Sequence, residues 1–216
     1  MFKVRLNLRK VVAIAICLAG FLVNNVLAQD NTKDHGVVIN GVKWATRNVD
    51  MPGTFADKPE DAGMFYQWNR RVGWSVIDPM INSNGGTTWD SSTPVGDTWE
   101  KSNDPSPAGW RVPTLDEIKT LLDTVKVKNF WIMQKGVFGT KFIDKATGNT
   151  LFLPIVNYRT YEGILWNGEL KFGQYWSSTA DTKDFAHFLM CNENGVRYDI
   201  FSSPRREGNS VRPVAK

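Results

Sequence analysis

The segment from Ser106 to Leu122 constrains the fold more than any other part of the chain, because it fixes where one helix begins. It reads SPAGWRVPTLDEIKTLL, with two prolines and a tryptophan ahead of an apolar pattern. Thr114 and Glu117 have the spacing of a capping box, in which each side chain bonds to the backbone of the other residue. The apolar positions at helical spacing are Leu115, Ile118, Leu121, Leu122 and Val125. We therefore predict a helix after Thr114, packed through one face, with Trp110 and Val112 buried beside it.

The rest of the pattern is typical of short strands separated by turns. Asn40-Gly41 predicts a hairpin between Val37 and Trp44, Ala146–Asn149 is a hairpin loop, and Asn194-Gly195 predicts another hairpin. A second short helix is predicted over Asp61–Asn69, although Gly63 interrupts it. The other predicted strands are Val137–Ile143, Leu151–Val156, Tyr175–Ser178, Phe185–Cys191, Val196–Phe201 and Val211–Val214. One or two helices with antiparallel strands indicate an α+β domain.

The region from Arg70 to Pro107 has no helix or strand period and is rich in turn residues. Long irregular segments in compact domains are usually functional or packed on themselves. Three tryptophans lie in this region, namely Trp74, Trp89 and Trp99. They either hold the loop in place or contact a ligand, and we predict that at least two of them hold the loop.

The first 28 residues have the pattern of a secretory signal peptide. Four basic residues precede an apolar run of 13 residues over 11–23, and Val26-Leu27-Ala28 is a cleavage site. A transmembrane anchor is the alternative, but a spanning helix needs about 20 apolar residues. Ile16 before Cys17 also disfavours lipid attachment. We predict an exported protein that is extracellular, surface-attached or periplasmic, with a flexible tail at 29–36 and no membrane span after cleavage.

Cleavage changes the charge and the cysteine content. The signal peptide holds four of the 26 basic residues and none of the 22 acidic ones, so the mature chain has 22 of each. The basic character of the whole chain is thus no argument for a nucleic-acid partner. The 188 mature residues suit one domain, 37–216. Cys191 is their one cysteine, so the domain folds without an internal disulfide.

Six segments together resemble a known family, the Fibrobacter succinogenes major paralogous domain of exported Bacteroidetes proteins. They are Gly41–Asn48, Gly63–Trp68, Ser106–Pro113, Leu151–Pro154, Tyr175–Thr179 and Ser210–Val214. The resemblance runs from about Val37 to the C-terminus and implies a C-type-lectin-like fold. In that fold the N- and C-terminal strands meet and a long loop region carries binding.

The chain departs from the family at two positions. Where members often have cysteines, this sequence has Ser106 and Pro213. If those cysteines normally bond, their joint loss removes about 2–4 kcal/mol of stabilisation that the core must supply.

The sequence offers two enzymatic interpretations. His187 and Cys191 could form a nucleophile pair, but a packed strand with a small thiol is the simpler interpretation of Phe185–Cys191. Formylglycine-generating oxidases share Arg-hydrophobic-Pro-Thr before a helix, yet they need two cysteines. Too few histidines and cysteines are present for an ordinary zinc site. We therefore predict a domain without catalytic residues, cofactor or metal, and a hydrolase or oxidase is the less favoured class.

The sequence favours recognition without calcium. Sugar-binding lectins of this fold use Glu-Pro-Asn or Gln-Pro-Asp, and neither occurs here. The segment 192–206 combines aromatic, amide and arginine side chains, as adaptable binding surfaces do. The predicted ligand-binding residues are Asn192, Asn194, Tyr198, Phe201, Arg205 and Arg206. An ordinary solvated strand and loop is the alternative for this segment. The partner would be a protein or glycan; a structural surface or fimbria-associated subunit is the alternative function.

Overall fold

Helix α1 (Leu115–Leu122) has the cap that its sequence predicts. In a computed structural model, which describes residues 30–166, 168, 172–192, 195–196 and 201–216, the Thr114 hydroxyl accepts from the Glu117 amide. The Glu117 carboxylate in turn accepts from the Thr114 amide at 2.8 Å. Arg111 donates to both carboxylate oxygens of Glu117, at 2.8 and 2.6 Å, and so fixes the cap from the preceding strand.

The helix packs through the predicted face, with one exception. Ile118 and Leu121 are buried, and so are Trp110 and Val112 in the lead-in. Val125, in contrast, lies beyond the last helical residue and is 81% exposed. The helix ends at Leu122 because Asp123 adopts an extended backbone.

Fourteen strands of the described chain form four small sheets. The strands are β1 (Val37–Ile39), β2 (Val42–Trp44), β3 (Phe65–Gln67), β4 (Gly73–Trp74), β5 (Trp110–Arg111), β6 (Val127–Gln134), β7 (Val137–Asp144), β8 (Thr150–Pro154), β9 (Phe172–Ala180), β10 (Phe185–Asn192), β11 (Gly195–Val196), β12 (Phe201–Pro204), β13 (Gly208–Asn209) and β14 (Val214–Ala215). The first sheet has the order β1-β2-β14-β5, the second joins β9, β11 and β12 to β10, the third is β13-β3-β4 and the fourth is β6-β7-β8. All strand pairs within these sheets are antiparallel.

The two ends of the domain meet in the first sheet. Val214 pairs with Trp44 on one side and with Arg111 on the other. The C-terminal strand therefore joins the N-terminal hairpin to the segment that leads into α1. This agrees with what the family resemblance implies about the terminal strands.

Tight turns explain the two clearest hairpins. Asn40 and Gly41 have φ of 45° and 82°, as a type I′ turn requires, so the predicted hairpin β1–β2 is confirmed. Lys135 and Gly136 have φ of 46° and 83° and join β6 to β7 in the same way. Strand β6 was not predicted from the sequence.

The predicted helix over Asp61–Asn69 is wrong. Phe65–Gln67 is strand β3, which pairs with β4 and with β13. Gly63 has φ of 70°, and a Cβ there would lie 2.1 Å from the Val49 carbonyl oxygen, so the backbone cannot continue as a helix. Pairing with distant strands overrides the weak local helical pattern.

The described chain is thus broadly α+β, with mostly antiparallel strands and a single short helix. It contains no helix long and apolar enough to cross a membrane. The predicted signal peptide, 1–28, lies outside the described residues, and residues 31–216 form one compact unit.

The core consists of aromatic and aliphatic clusters on the two sides of β9 and β10. Tyr175 and Leu189 belong to a cluster that contains Ile118 and Leu121 of α1. Trp176 and Phe188 belong to a second cluster. Trp68 and Trp99 join that second cluster, which also supports the irregular region. Because successive side chains of β9 and β10 point to opposite sides, these strands contact the helix on one side and the irregular region on the other.

The described part of the predicted tail is bound to the domain. Asp34 accepts from the amides of Gly36 and Thr46 and pairs with Arg47 at 3.2 Å. Burial raises the pKa of Asp34, but these hydrogen bonds outweigh it and hold the pKa below its ordinary value. Residues 31–36 are therefore anchored, which corrects the expectation of a flexible tail for this stretch.

Replacing the cap tests the local logic of α1. Thr114→Ala removes the acceptor for the Glu117 amide and is expected to lower the free energy of unfolding by about 1 kcal/mol. Urea denaturation monitored by tryptophan fluorescence measures the change. The control is Lys119→Ala, because Lys119 is exposed and pairs only with Asp116 on the same helix. Equal losses in the two variants would contradict a specific role for the cap.

Candidate functional site

The tryptophans of the irregular region mainly hold it in place, as predicted. Trp74 and Trp99 are buried, and Trp99 donates to the Asn103 carbonyl at 3.0 Å. Trp89 is half-buried, lies 4.7 Å from Trp74 and donates to the Tyr161 carbonyl at 3.1 Å. All three side chains therefore contact the protein itself.

Trp89 needs a glycine beneath it. A Cβ on Gly163 would lie 2.8 Å from the Trp89 ring, and Gly163 has φ of 82°. The close approach of backbone and indole ring explains why this position has no side chain. The contact joins the irregular region to the turn that follows Arg159.

Arg159 fixes the same two segments from inside. It is 1% exposed and donates to the carbonyls of Ser75, Ile77 and Gly163, each at 2.8 Å. Its guanidinium also lies 3.1 Å from an Asp78 carboxylate oxygen. Carbonyl groups of loops in the interior need hydrogen-bond donors. The guanidinium group of Arg159 supplies the hydrogen bonds that a neighbouring strand would provide in a sheet.

Arg205 performs the same role at the other end of the irregular region. It is 2% exposed and donates to the carbonyls of Pro94 and Gly96, at 3.1 and 2.7 Å, and to Thr182 at 2.5 Å. Its guanidinium also lies 4.2 Å from the centre of the Trp68 ring. Arg205 thus holds 94–96 against the sheet that contains β12.

These supports enclose a surface cavity of about 280 Å³ in the irregular region. Asn69, which has φ of 52°, holds its two sides together. Its amide donates to the Val95 carbonyl at 2.8 Å, and its oxygen accepts from the Glu100 amide at 2.8 Å. The lining residues are Asn69, Arg70, Thr93, Pro94, Val95, Glu100 and Asn103.

Arg70 supplies the positive charge in the cavity. One terminal nitrogen donates to the Ser92 hydroxyl at 2.7 Å and lies 3.2 Å from the Asp90 carboxylate. The Nε–H is buried and has no hydrogen-bond partner among the described residues. Glu100 also lines the cavity, so the lining offers both a guanidinium group and a carboxylate, and Val95 in the same lining is 79% exposed. Such a lining can hold a polar ligand by hydrogen bonds.

The sequence-predicted site residues do not form one exposed surface. Arg205 is buried, as described above, and Asn192 is 9% exposed at the end of β10. Phe201 is half-buried and packs on Phe188 with ring centres 6.1 Å apart. Arg206 lies over Tyr161, 5.6 Å from its ring, and donates to the Ser91 carbonyl. Asn194 and Tyr198 lie outside the described residues.

These positions correct the expected binding surface. Arg205 and Asn192 are removed from it because both residues are buried, whereas Arg206 stays beside the irregular region. Asn69, Arg70, Val95 and Glu100 were not predicted individually. In the sequence their spacing does not differ from that of other polar loop residues. The only relevant signal was the prediction that the segment 70–107 is functional or packed on itself.

The two residues considered for catalysis, His187 and Cys191, both lie in strand β10. Burial raises the pKa of the Cys191 thiol to about 12, which disfavours a thiolate nucleophile. His187, in β10, lies 3.9 Å from the Asp181 carboxylate. Among the described residues, no three histidine, cysteine, aspartate or glutamate side chains gather as a metal-binding group.

Glu207 is a carboxylate held in an unfavourable environment beside the irregular region. The Ser203 hydroxyl donates to it, and the backbone around it turns from β12 to β13. Burial raises the pKa of Glu207 to about 7, although the hydrogen bond from Ser203 opposes the shift. The negative charge of Glu207 in turn adds to burial in raising the pKa of Tyr158.

Comparison with known proteins identifies no relative. No family model, curated protein or solved structure matches this chain.

Arg205 and its neighbour Arg206 provide a matched pair for testing the loop support. Arg205→Lys keeps the charge but leaves loop carbonyls without donors, so it is expected to lower the free energy of unfolding by about 2–4 kcal/mol. Arg206→Lys, at a half-exposed side chain, should change it by less than about 0.5 kcal/mol. Guanidinium denaturation measures both values. Similar stabilities for the two variants would refute the structural role of Arg205.

Glu207 predicts a pH dependence with a definite sign. A raised folded-state pKa means that the folded protein holds this proton more tightly than the unfolded chain. The stability from Glu207 is therefore fully present below its ordinary pKa of 4.5 and is lost as the pH rises through about 7. Relative to Glu207→Gln, the wild type should lose roughly 2–3 kcal/mol between pH 4.5 and 8. Urea denaturation of both proteins across this range measures the difference, and a constant difference would contradict the assignment.

Proposed function

We propose that this protein is an exported, non-catalytic recognition domain of C-type-lectin-like fold. It binds a protein or glycan ligand without calcium, through the cavity formed by Asn69, Arg70, Val95 and Glu100 and the adjoining surface around Arg206. The observation that carries the proposal is the internal support of this irregular surface by Arg159, Arg205 and Asn69.

Rigid support favours recognition because an ordered surface loses less conformational entropy when a ligand binds. The irregular region lacks extended ladders, yet its carbonyls accept from buried guanidinium groups and its indoles pack on the sheets. Loops fixed on a stiff scaffold are the usual location of binding residues. The terminal strands, which pair at Trp44 and Val214, give that scaffold its closed frame.

The chemistry of the cavity favours a polar ligand with several hydroxyl or amide groups. Its volume of about 280 Å³ is near the lower end for small-molecule sites, which suits one sugar residue or one side chain of a protein partner. The guanidinium group of Arg70, which lines the cavity, is a donor for an oxygen of the ligand. Glu100 provides the matching acceptor.

The structural-subunit alternative has its own supporting observation. Trp131 and Phe138 stack with ring centres 5.5 Å apart near the tip of the β6–β7 hairpin, and Met133 beside them is 57% exposed. Apolar side chains of this kind are common at subunit contacts. Assembly of the purified protein into polymers, detected by light scattering, would favour this alternative over a recognition domain.

A variant that fills the cavity tests the binding proposal. Val95→Arg places a long charged side chain at the rim and should abolish capture of a ligand identified on an array of glycans and surface proteins, because it blocks access to Arg70. The array is run in EDTA, where wild-type binding should persist. Val38→Arg is the control, since Val38 is an exposed valine of β1. Unchanged binding by Val95→Arg, with its melting temperature retained, would exclude this cavity.

A further inference from the structure

The β6–β7 hairpin and its flanks carry a charge that the balanced mature chain conceals. Between Asp123 and Glu162, Asp144 is the one acidic residue of the sequence. The same stretch contains Lys126, Lys128, Lys135, Lys141 and Lys145. The positive charge of the mature protein is therefore concentrated locally, although its formal net charge is zero.

Strand register places four of these lysines on one face of the hairpin. Phe130 pairs with Lys141 and Lys128 pairs with Ile143. The Lys145 amide donates to the Lys126 carbonyl at 2.9 Å, so the same register continues past the strand ends. Because side chains alternate along a strand, these six side chains share one face. Along the hairpin the four lysines occupy three successive levels about 6.6 Å apart, with Lys126 opposite Lys145, then Lys128, then Lys141.

The one acidic side chain belongs to the opposite face. Asp144 pairs with the buried Val127 and is 6% exposed. Its carboxylate accepts from the amides of Asn40, Ala146 and Thr147, at 2.7, 2.9 and 3.0 Å. Asp144 is thus occupied by the backbone of two turns and does not pair with the lysines.

The lysine face borders two adjoining cavities. One, of about 310 Å³, is lined by Asn40, Val125, Lys126, Asp144, Lys145 and Ala146. The other, of about 210 Å³, is lined by Thr124, Val127, Lys128, Asn129 and Lys145. Lys145 lines both cavities, and Asp144 and Val127 of the opposite face line one each, so the cavities lie at the root of the hairpin between its two faces. Lys126 is largely exposed, and its ammonium group lies 3.9 Å from the Asp123 carboxylate.

An aromatic ring lies within the row of amines. Lys128 has its ammonium group 5.7 Å from the centre of the Phe130 ring, and Phe130 is half-buried. Ile143 beside it is also half-buried. The face therefore combines point charges at regular intervals with an apolar surface between them.

We propose that this face binds a linear acidic polysaccharide, with the lysines Lys126, Lys128, Lys141 and Lys145 pairing with successive carboxylates and Phe130 contacting the apolar side of a sugar ring. Charge complementarity selects a polyanion, and the strand register selects a linear one. A nucleic acid is less well matched, because the face has a single aromatic ring for base stacking and no arginine for two-pronged phosphate contacts. The site shares no residue with the cavity at Arg70, so it does not depend on the proposed function above.

The experiment measures binding of the mature protein to polygalacturonate, a chain of carboxylated sugars, by isothermal titration at low salt. Binding should weaken steeply as salt is added, because counterions compete with the lysines. Exchanging the four lysines for glutamine should weaken binding by about tenfold or more, whereas exchanging them for arginine should preserve it. The matched control exchanges four exposed lysines elsewhere for glutamine, namely Lys58, Lys101, Lys119 and Lys183.

Each outcome decides for or against the proposed face. Equal weakening by the control set would show a nonspecific charge effect, and tighter binding of single-stranded DNA than of polygalacturonate would assign the face to nucleic acid. Absence of wild-type binding to polygalacturonate would overturn the proposal, as would equal binding to neutral dextran. Val95→Arg separates this site from the one at Arg70, because it should leave polygalacturonate binding unchanged. The melting temperature of each variant is measured to check that it is folded.

Discussion

The structure depends on buried guanidinium groups that donate to the carbonyls of irregular loops. Burying a charged group is costly unless its hydrogen-bonding capacity is used. Arg159 and Arg205 use theirs mainly on backbone carbonyls from segments far away in the sequence. Loops without a ladder would otherwise leave these carbonyls unpaired in the interior. The arginines thereby replace, for the irregular half of the domain, the hydrogen bonds that strands exchange with one another.

This arrangement explains how a domain with one buried cysteine keeps a long irregular region in place. Indole rings contribute the apolar part of the support, since Trp68 packs against both Trp99 and the guanidinium of Arg205. The terminal strands contribute the remainder by pairing at Val214. Packing, strand pairing and buried charge together supply the restraint that a cross-link would give to a small domain.

Local signals could be predicted from the sequence, whereas features set by distant contacts could not. The cap at Thr114 and the turn at Asn40-Gly41 are complete within a few residues, and both are confirmed. The helix predicted over Asp61–Asn69 was wrong because β13, far along the chain, pairs with Phe65–Gln67. Arg205 was assigned to a ligand surface for a related reason. Its acceptors at Pro94 and Gly96 are more than a hundred residues away, and no local pattern reveals them.

Net charge is a second property that the sequence total conceals. Equal numbers of acidic and basic residues in 29–216 argue against general attraction to polyanions, but they do not describe how charge is distributed over the faces of the protein. The two-residue turn at Lys135-Gly136 sets the register of β6 and β7, and that register gathers Lys128 and Lys141 while it directs Asp144 inward. A one-residue shift in that register would separate Lys128 and Lys141 onto opposite faces. The turn therefore determines the electrostatic character of this surface as well as the shape of the hairpin.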